Sequence, residues 1–255
     1  MKIATWNVNS MKVRLAHVLE WLSAQSPDVL VLQEIKQPTE AFPAAELAEA
    51  GYRSVVNGQK TYNGVAVVSL NTANDPVTDF PDFEDPQRRV LATTVNGVRI
   101  INLYVPNGQA VGSEKYDYKL GWLGALRSYL EDELSQHDRL VVLGDFNIAP
   151  ADEDVYDAEK WGDAILCSPA ERAALNRLLD LGLTDVFRKF DQPEKSFSWW
   201  DYRAAGFRRN AGLRIDLILA NKVMASACTA SYVDKEPRTW ERPSDHAPVV
   251  AEFAL

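Results

Sequence analysis

Cysteine, histidine and methionine are scarce in this chain, with two, three and three residues in 255. Cys167 and Cys228 are too few for a disulfide framework and lack metal-ligand spacing, so free, reduced thiols are expected, as in a cytoplasmic protein. No apolar run approaches the ~20 residues of a bilayer span. Met1-Lys2 leads straight into a strand-like run rather than a leader peptide. The expectation is a cytoplasmic protein with no membrane partner. Gly/Ser linkers, charge runs and internal repeats are also missing, so residues 1–255 are expected to form one domain.

Positive charge is in deficit as well. Lysine and arginine number 27 against 36 aspartates and glutamates, a net charge of −9. Such a chain repels a polyanion at long range unless its cations are gathered on one face. Some are gathered: between Trp199 and Arg214, four arginines stand against one aspartate, 4 − 1 = +3. Arg88, Arg89, Lys36 and Lys60 extend that patch.

The apolar patterning predicts strands over Ile3–Val8, Asp28–Gln33, Gly64–Leu70, Arg89–Val95, Val98–Val105, Leu140–Asp145, Arg214–Ala220 and Ala247–Phe253. Helical periodicity covers Val13–Gln25, Tyr116–Gln136 and Pro169–Leu181, the last with Ser168 as N-cap and Pro169 at the first helical position. Asn96-Gly97 between two strands predicts a tight hairpin. Hairpins mixed with strand–helix–strand crossovers imply an α/β protein with mixed sheets, and two stacked sheets with helices outside would bury these strands.

Six polar clusters interrupt or end these runs: Thr5–Asn9, Leu32–Glu34, Asn102–Tyr104, Gly144–Asn147, Arg214–Asp216 and Ser244–His246. Buried strands have no structural need for such groups, and local rules fail mostly at functional sites. Asp145 and Asn147, like Asn7 and Asn9, share a face if the chain is extended; the first pair would serve equally as an Asx turn, and the second as buried, hydrogen-bonded structural amides. Glu34 suits a hard cation, which takes oxygen ligands from one or two carboxylates. Asp216, flanked by apolar residues, needs a partner. Of the three histidines, His17 and His137 fall on surface helices, leaving His246 for that pairing. Tyr104 is placed either to reach a phosphate or simply to keep its hydroxyl wet.

TWNVNS, LQEIK, YNGVAV, NLYVPNG, LGDFNIAP, LRIDLILA and SDHAPV follow one another from residue 5 to 249. In this the chain resembles the exonuclease III family of abasic-site repair endonucleases, within the wider endonuclease/exonuclease/phosphatase superfamily. The resemblance implies a four-layer α/β sandwich, with two stacked mixed β-sheets flanked by helices (DNase I-like). It implies a Mg²⁺-dependent nuclease, with Mn²⁺ as a substitute, acting as a monomer on duplex DNA with abasic sites or 3′ ends. Tyr104, Asp145, Asn147, Asp216 and His246 match the family's catalytic positions, while Asn7, Glu34, Asp145, Asn147, Asp245 and His246 match its metal region. Trp199, Arg203, Arg208, Arg209, Asn63 and Arg88 correspond to the DNA and abasic-sugar contacts. Some relatives trim 3′ ends yet incise internal sites poorly because a bulky side chain closes the sugar pocket, and Trp161–Ser168, including Leu166, falls in that region. Two alternatives are a specialised 3′-end processing enzyme and a phosphodiesterase acting on a non-DNA substrate.

Overall fold

Strands that are apolar at successive positions need cover on both faces, and two stacked sheets provide it. The computed structural model describes residues 1–255. Its strands are β1 Lys2–Asn7, β2 Val29–Gln33, β3 Arg53–Asn57, β4 Val65–Ser69, β5 Asn74–Val77, β6 Val90–Val95, β7 Val98–Tyr104, β8 Leu140–Asp145, β9 Thr184–Asp185, β10 Asp216–Ala220, β11 Cys228–Val233 and β12 Val249–Phe253. Its α-helices are α1 Met11–Gln25, α2 Ala44–Glu49, α3 Glu114–Gln136, α4 Ala158–Trp161, α5 Pro169–Leu179 and α6 Lys222–Ala227. One sheet has the order β11-β12-β1-β2-β4-β3 and the other β5-β6-β7-β8-β10-β9. Both are mixed: β1 runs parallel to β2, and β7 to β8, among antiparallel neighbours. The result is the expected four-layer sandwich.

Alternation along each strand assigns its side chains to layers. Ile3, Val29, Val31, Ile100, Val141, Leu143 and Ile218 meet between the sheets. Their neighbours Ala4, Trp6, Leu30 and Leu32 pack outward with Val18, Trp21 and Leu22 of α1. On the opposite side, Ile101, Leu103, Val142, Leu217 and Leu219 pack against Trp122, Leu126 and Leu130 of α3 and Leu175 and Leu178 of α5. The inter-sheet layer turns polar partway along. Gln33 donates to Thr5 Oγ1 (2.9 Å) and Asn102 Oδ1 (2.8 Å), and Asn102 donates to the Leu32 and Ala66 carbonyls, riveting one sheet to the other. One further step along the strands brings Asn7, Tyr104, Asp145 and Asp216 to the edge.

The predicted hairpin forms, with Val95 opposite Val98 and positive φ at both Asn96 and Gly97, as a type I′ turn requires. Ser168 caps α5 and Pro169 starts it. Patterning did not reveal β3, β5, β9 and β11. All four are edge strands; β3 is mostly half-buried and β5 largely exposed, and β5 contains Pro76, which an edge tolerates because its missing N–H breaks no ladder. Arg214–Ala220 becomes regular strand only from Asp216, and Ala247–Phe253 only from Val249. His17 lies in α1 and His137 just past the end of α3. No helix is long and apolar enough to cross a membrane.

Candidate active site

Strand register creates the centre of the site. Tyr104 on β7 is paired with Asp145 on β8, and Asp145 with Asp216 on β10, so three polar side chains stand abreast at one sheet edge. The close approach behind them requires glycine. Gly144 has φ +147°, and a Cβ there would lie 1.9 Å from the Leu103 carbonyl oxygen.

The other sheet contributes from β1 and β2. Asn7 donates from Nδ2 to Glu34 Oε1 (2.8 Å) and to Asp145 Oδ2 (2.9 Å), bridging the two sheets. Its Oδ1 accepts from the Asn9 backbone N–H (3.0 Å), so Asn7 orients two carboxylates while its oxygen is already engaged. The strand pairing of Asn7 and Asn9 does not hold, since Asn9 turns left-handed at φ +45°. Asn9 nevertheless reaches the site, donating to Asp245 Oδ1 (2.9 Å) and accepting from Lys36 Nζ (2.5 Å). Lys36 also lies 2.9 Å from Glu34 Oε2. Asn147, likewise left-handed at φ +48°, breaks the shared face with Asp145. Its amide accepts from Asn107 Nδ2 (3.2 Å) and donates to the Val105 carbonyl (3.0 Å), while its backbone N–H donates to Asp145 Oδ1 (2.9 Å).

Asp216 is the partner of His246. Its carboxylate oxygens lie 2.9 and 3.1 Å from His246 Nδ1, and Ser198 Oγ donates to it at 2.6 Å. Ser244 Oγ donates to the Asn7 carbonyl (2.6 Å), anchoring the loop that carries Asp245 and His246 to the end of β1. Burial opposes a charged imidazole, but the Asp216 and Asp145 carboxylates outweigh it and raise His246 to about 10. Nε2 then carries a proton and lies 3.8 Å from Asp145 Oδ2. Burial raises Asp145 to about 7; His246 opposes that shift and the negative charge of Asp216 adds to it. Burial, with the Glu34 and Asp145 carboxylates nearby, keeps the Tyr104 phenol protonated.

Glu34, Asp145 and His246 place potential ligand atoms within 4.8 Å of one another. The fit to a hard cation rests on charge and donor type. Burial leaves the Asp145 carboxyl with a raised proton affinity even beside the His246 cation, and Glu34 and Asp145 offer oxygens, the donors a hard cation takes. A protonated His246 offers a donor rather than a lone pair. Asp245 stands apart from this trio, with Oδ1 accepting from Asn9 and Oδ2 from Trp199 Nε1 (3.0 Å).

Above these groups opens a cavity of about 580 Å³, lined by Glu34, Tyr104, Asp145, Asn147, Asp245 and His246 on its floor. Trp199, Leu166, Trp161, Ile215, Arg203 and Arg209 form its walls. Leu166 is buried in an apolar wall with Cys167, Leu213 and Ile215, against which Trp199 packs, and it adopts φ +73°, a costly conformation for leucine. Of the arginines predicted as a patch, Arg203 and Arg209 reach the cavity, but Arg203 pairs with Asp201 at 2.6 Å. Arg208 is exposed outside the cavity lining. Arg214 is not part of the patch: it is buried against Asp154 (2.6 Å) and Asp185 (2.8 Å). Arg88 pairs with Asp79 at 3.1 Å, and Asn63 lines a neighbouring cleft with Gln59, Gln87, Arg89 and Gln109. Arg89 stacks on the Tyr104 ring at 4.6 Å. Asn107 and Ser198 escaped the sequence reading; Asn107 sits inside the NLYVPNG motif, whereas Ser198 carried no signal of its own.

Stacked mixed sheets with carboxylates, amides and an Asp–His pair at one edge define a phosphodiester-hydrolysing enzyme of the DNase I-like class. The chain belongs to the endonuclease/exonuclease/phosphatase family, whose model matches residues 4–246. It falls in the exonuclease III branch. It is 37% identical to exodeoxyribonuclease III of Haemophilus influenzae over 99% of this chain and 100% of that one. Among solved structures, the 3′ phosphatase NExo from Neisseria, bound to a product DNA hairpin, is 52% identical with a TM-score of 0.98 and full coverage of both chains. An AP endonuclease from Archaeoglobus fulgidus is 39% identical with a TM-score of 0.96, again over 100% of each chain.

Proposed function

We propose that residues 1–255 form one Mg²⁺-dependent DNA-repair nuclease unit, working as a monomer. It hydrolyses phosphodiesters 5′ to abasic sites and trims 3′ ends, leaving a 3′-hydroxyl. The observation that carries this reading is the register that sets Tyr104, Asp145 and Asp216 abreast beneath a cavity walled by Trp199. A scissile phosphate on that floor meets donors from Tyr104, Asn147 and protonated His246, aimed where charge develops on the phosphoryl oxygens. Asp216 and Ser198 hold the imidazole and its charge. Asp145, raised to about 7, is the group suited to take a proton from the attacking water or return one to the leaving 3′ oxygen. Glu34 and Asp145, oriented by Asn7, would hold the cation. When bound, Mg²⁺ neutralises phosphoryl oxygens and activates water; Mn²⁺ would substitute.

Trp199 offers a flat apolar face for an extruded baseless sugar, which is the least costly nucleotide to take out of the stack. Arg209 supplies phosphate attraction despite the chain's overall acidity.

A second reading is supported by Leu166. Its bulk at the pocket wall, at φ +73°, favours a specialised 3′-end processor that incises internal sites weakly. The 52% identical Neisseria protein is described as a 3′ phosphatase.

Incision of two labelled duplexes in Mg²⁺ separates the readings. One duplex carries an internal abasic analogue and the other a nick with a 3′-phosphate. Cleavage of both establishes the repair endonuclease, and cleavage of the nick alone the 3′-end processor. If only the nick is processed, Leu166→Gly is expected to restore internal incision by removing both bulk and strain. Turnover of neither duplex rejects both readings and leaves a phosphodiesterase for a non-DNA substrate, whereas turnover that survives EDTA rejects the dependence on Mg²⁺.

A further inference from the structure

Behind the cavity wall lies a lysine that the chemistry above does not use. Lys119 of α3 is wholly buried, and its ammonium forms an ion pair with Glu171, itself wholly buried. The other two protons are also committed, to the Asn147 carbonyl (2.6 Å) and the Asn107 carbonyl (3.2 Å). Glu171 is equally occupied. Oε1 accepts from the Leu166 backbone N–H (3.1 Å), and Oε2 accepts from the Ser168 N–H (3.1 Å) and Oγ (2.6 Å). Tyr116, one turn before Lys119, shares a hydrogen bond of 2.6 Å with Ser168 Oγ.

A glutamate three residues after an N-cap serine is ordinarily a capping box, satisfied by two local hydrogen bonds at a solvated helix start. Here the box is sealed from water and joined to a cation on another helix. Burying a lone ion pair gains little stability against well-packed apolar side chains, because desolvation offsets the attraction. Stability alone therefore does not account for the pair. Burial by itself lowers the proton affinity of Lys119, and the Glu171 carboxylate opposes that shift. What the pair does is join three loops. It binds the backbone of Asn107 and Asn147 on the phosphate side of the cavity and of Leu166 and Ser168 on the sugar side.

We propose that Lys119 and Glu171 are positioning residues that hold the Asn147 loop and the Leu166 wall at a fixed separation, and so set the preference between an internal baseless nucleotide and a 3′ end. This rests on the functional reading above. Neither residue touches the substrate. Both Asn147 and Leu166 hold left-handed φ angles, which persist only where surrounding contacts impose them, and the pair supplies such contacts to each.

The test uses Glu171→Gln, Lys119→Met and the double variant Lys119→Met/Glu171→Met on the two duplexes, with Tm measured for each. Glu171→Gln keeps size while weakening the hold on Leu166 and Ser168. It is expected to alter kcat/KM for the internal abasic duplex more than for the 3′-phosphate nick. Lys119→Met frees Asn147 and is expected to lower kcat on both duplexes by roughly 10–100-fold, the loss typical of removing an outer-shell support, with KM little changed. The double variant removes both buried charges together, so Tm recovers relative to Lys119→Met while the rate does not. Losses equal on both duplexes in Glu171→Gln, or a rate that returns with Tm in the double variant, overturn the proposal. An unmodified enzyme inactive on both duplexes instead overturns the functional reading, and this proposal with it.

Discussion

His246 Nδ1 lies 2.9 Å from Asp216 Oδ2, and Asp216 is held in turn by Ser198 Oγ at 2.6 Å. Burial would keep an isolated imidazole here neutral; Asp216, with help from Asp145, makes it a cation instead. The site thereby gains a fixed positive charge at its floor without a lysine or arginine.

Asp216→Asn should lower the proton affinity of His246 and, by removing a charged donor from the phosphate, reduce kcat by on the order of 10²-fold or more. NMR titration of the imidazole without metal checks the first part. The sign for stability follows from a folded value of about 10 against 6.5 for an ordinary histidine. The pair's contribution is fully present below pH 6.5 and is lost as pH rises towards 10, and Asp216→Asn should flatten that window. An imidazole that titrates identically in both proteins would count against the Asp216 assignment.

Asp145→Asn should abolish hydrolysis while raising Tm at pH 8 in the absence of metal. A carboxyl raised from 3.8 to about 7 costs the fold increasingly as pH climbs through that range, and the amide does not. Calorimetry should show the advantage of the variant shrinking towards pH 4, where the native carboxyl is already protonated. A variant less stable at both pH values would show that the Asn7 and Asn147 hydrogen bonds outweigh desolvation.

Gly144→Ala places a methyl group 1.9 Å from the Leu103 carbonyl oxygen, inside the β7–β8 pairing that aligns Tyr104 with Asp145. The cost should be on the order of 3 kcal/mol, visible as a lower denaturation midpoint. The surviving folded fraction should also be less active, because the register itself is disturbed. Full specific activity in that fraction would separate register from catalysis.

Arg209→Ala should reduce the slope of log K against log salt for duplex binding by about 0.9, the loss of one phosphate contact. Arg203→Ala should change it less, since that guanidinium already serves Asp201 at 2.6 Å. Equal effects would mean that DNA displaces Asp201 from Arg203.

Ile3-Thr5-Asn7, Ile100-Asn102-Tyr104 and Val141-Leu143-Asp145 each run from apolar to polar at every second position. Because a strand repeats every two residues, that order alone put the functional groups at one end of one face. The strands of the sheet interiors and the candidacy of Asp145 were legible for this reason; the hairpin was legible from the Asn96-Gly97 pair. Glu34, Asp216 and His246 were legible from residue type, as a carboxylate closing an apolar run, a carboxylate inside one and the histidine left to pair with it. Partnerships between distant segments were not. That Asn7 spans the sheets to Asp145, that Asn9 and Asn147 reach the site through left-handed turns, and that Ser198 steadies Asp216 depend on how two sheets stack. The fate of the cations was hidden likewise: Arg214 reads as part of a basic patch until Asp154 and Asp185 close around it. Local pattern specifies which face a side chain takes; only tertiary packing brings residues far apart in the chain together, and with that decides which charges are neutralised and which remain for the substrate.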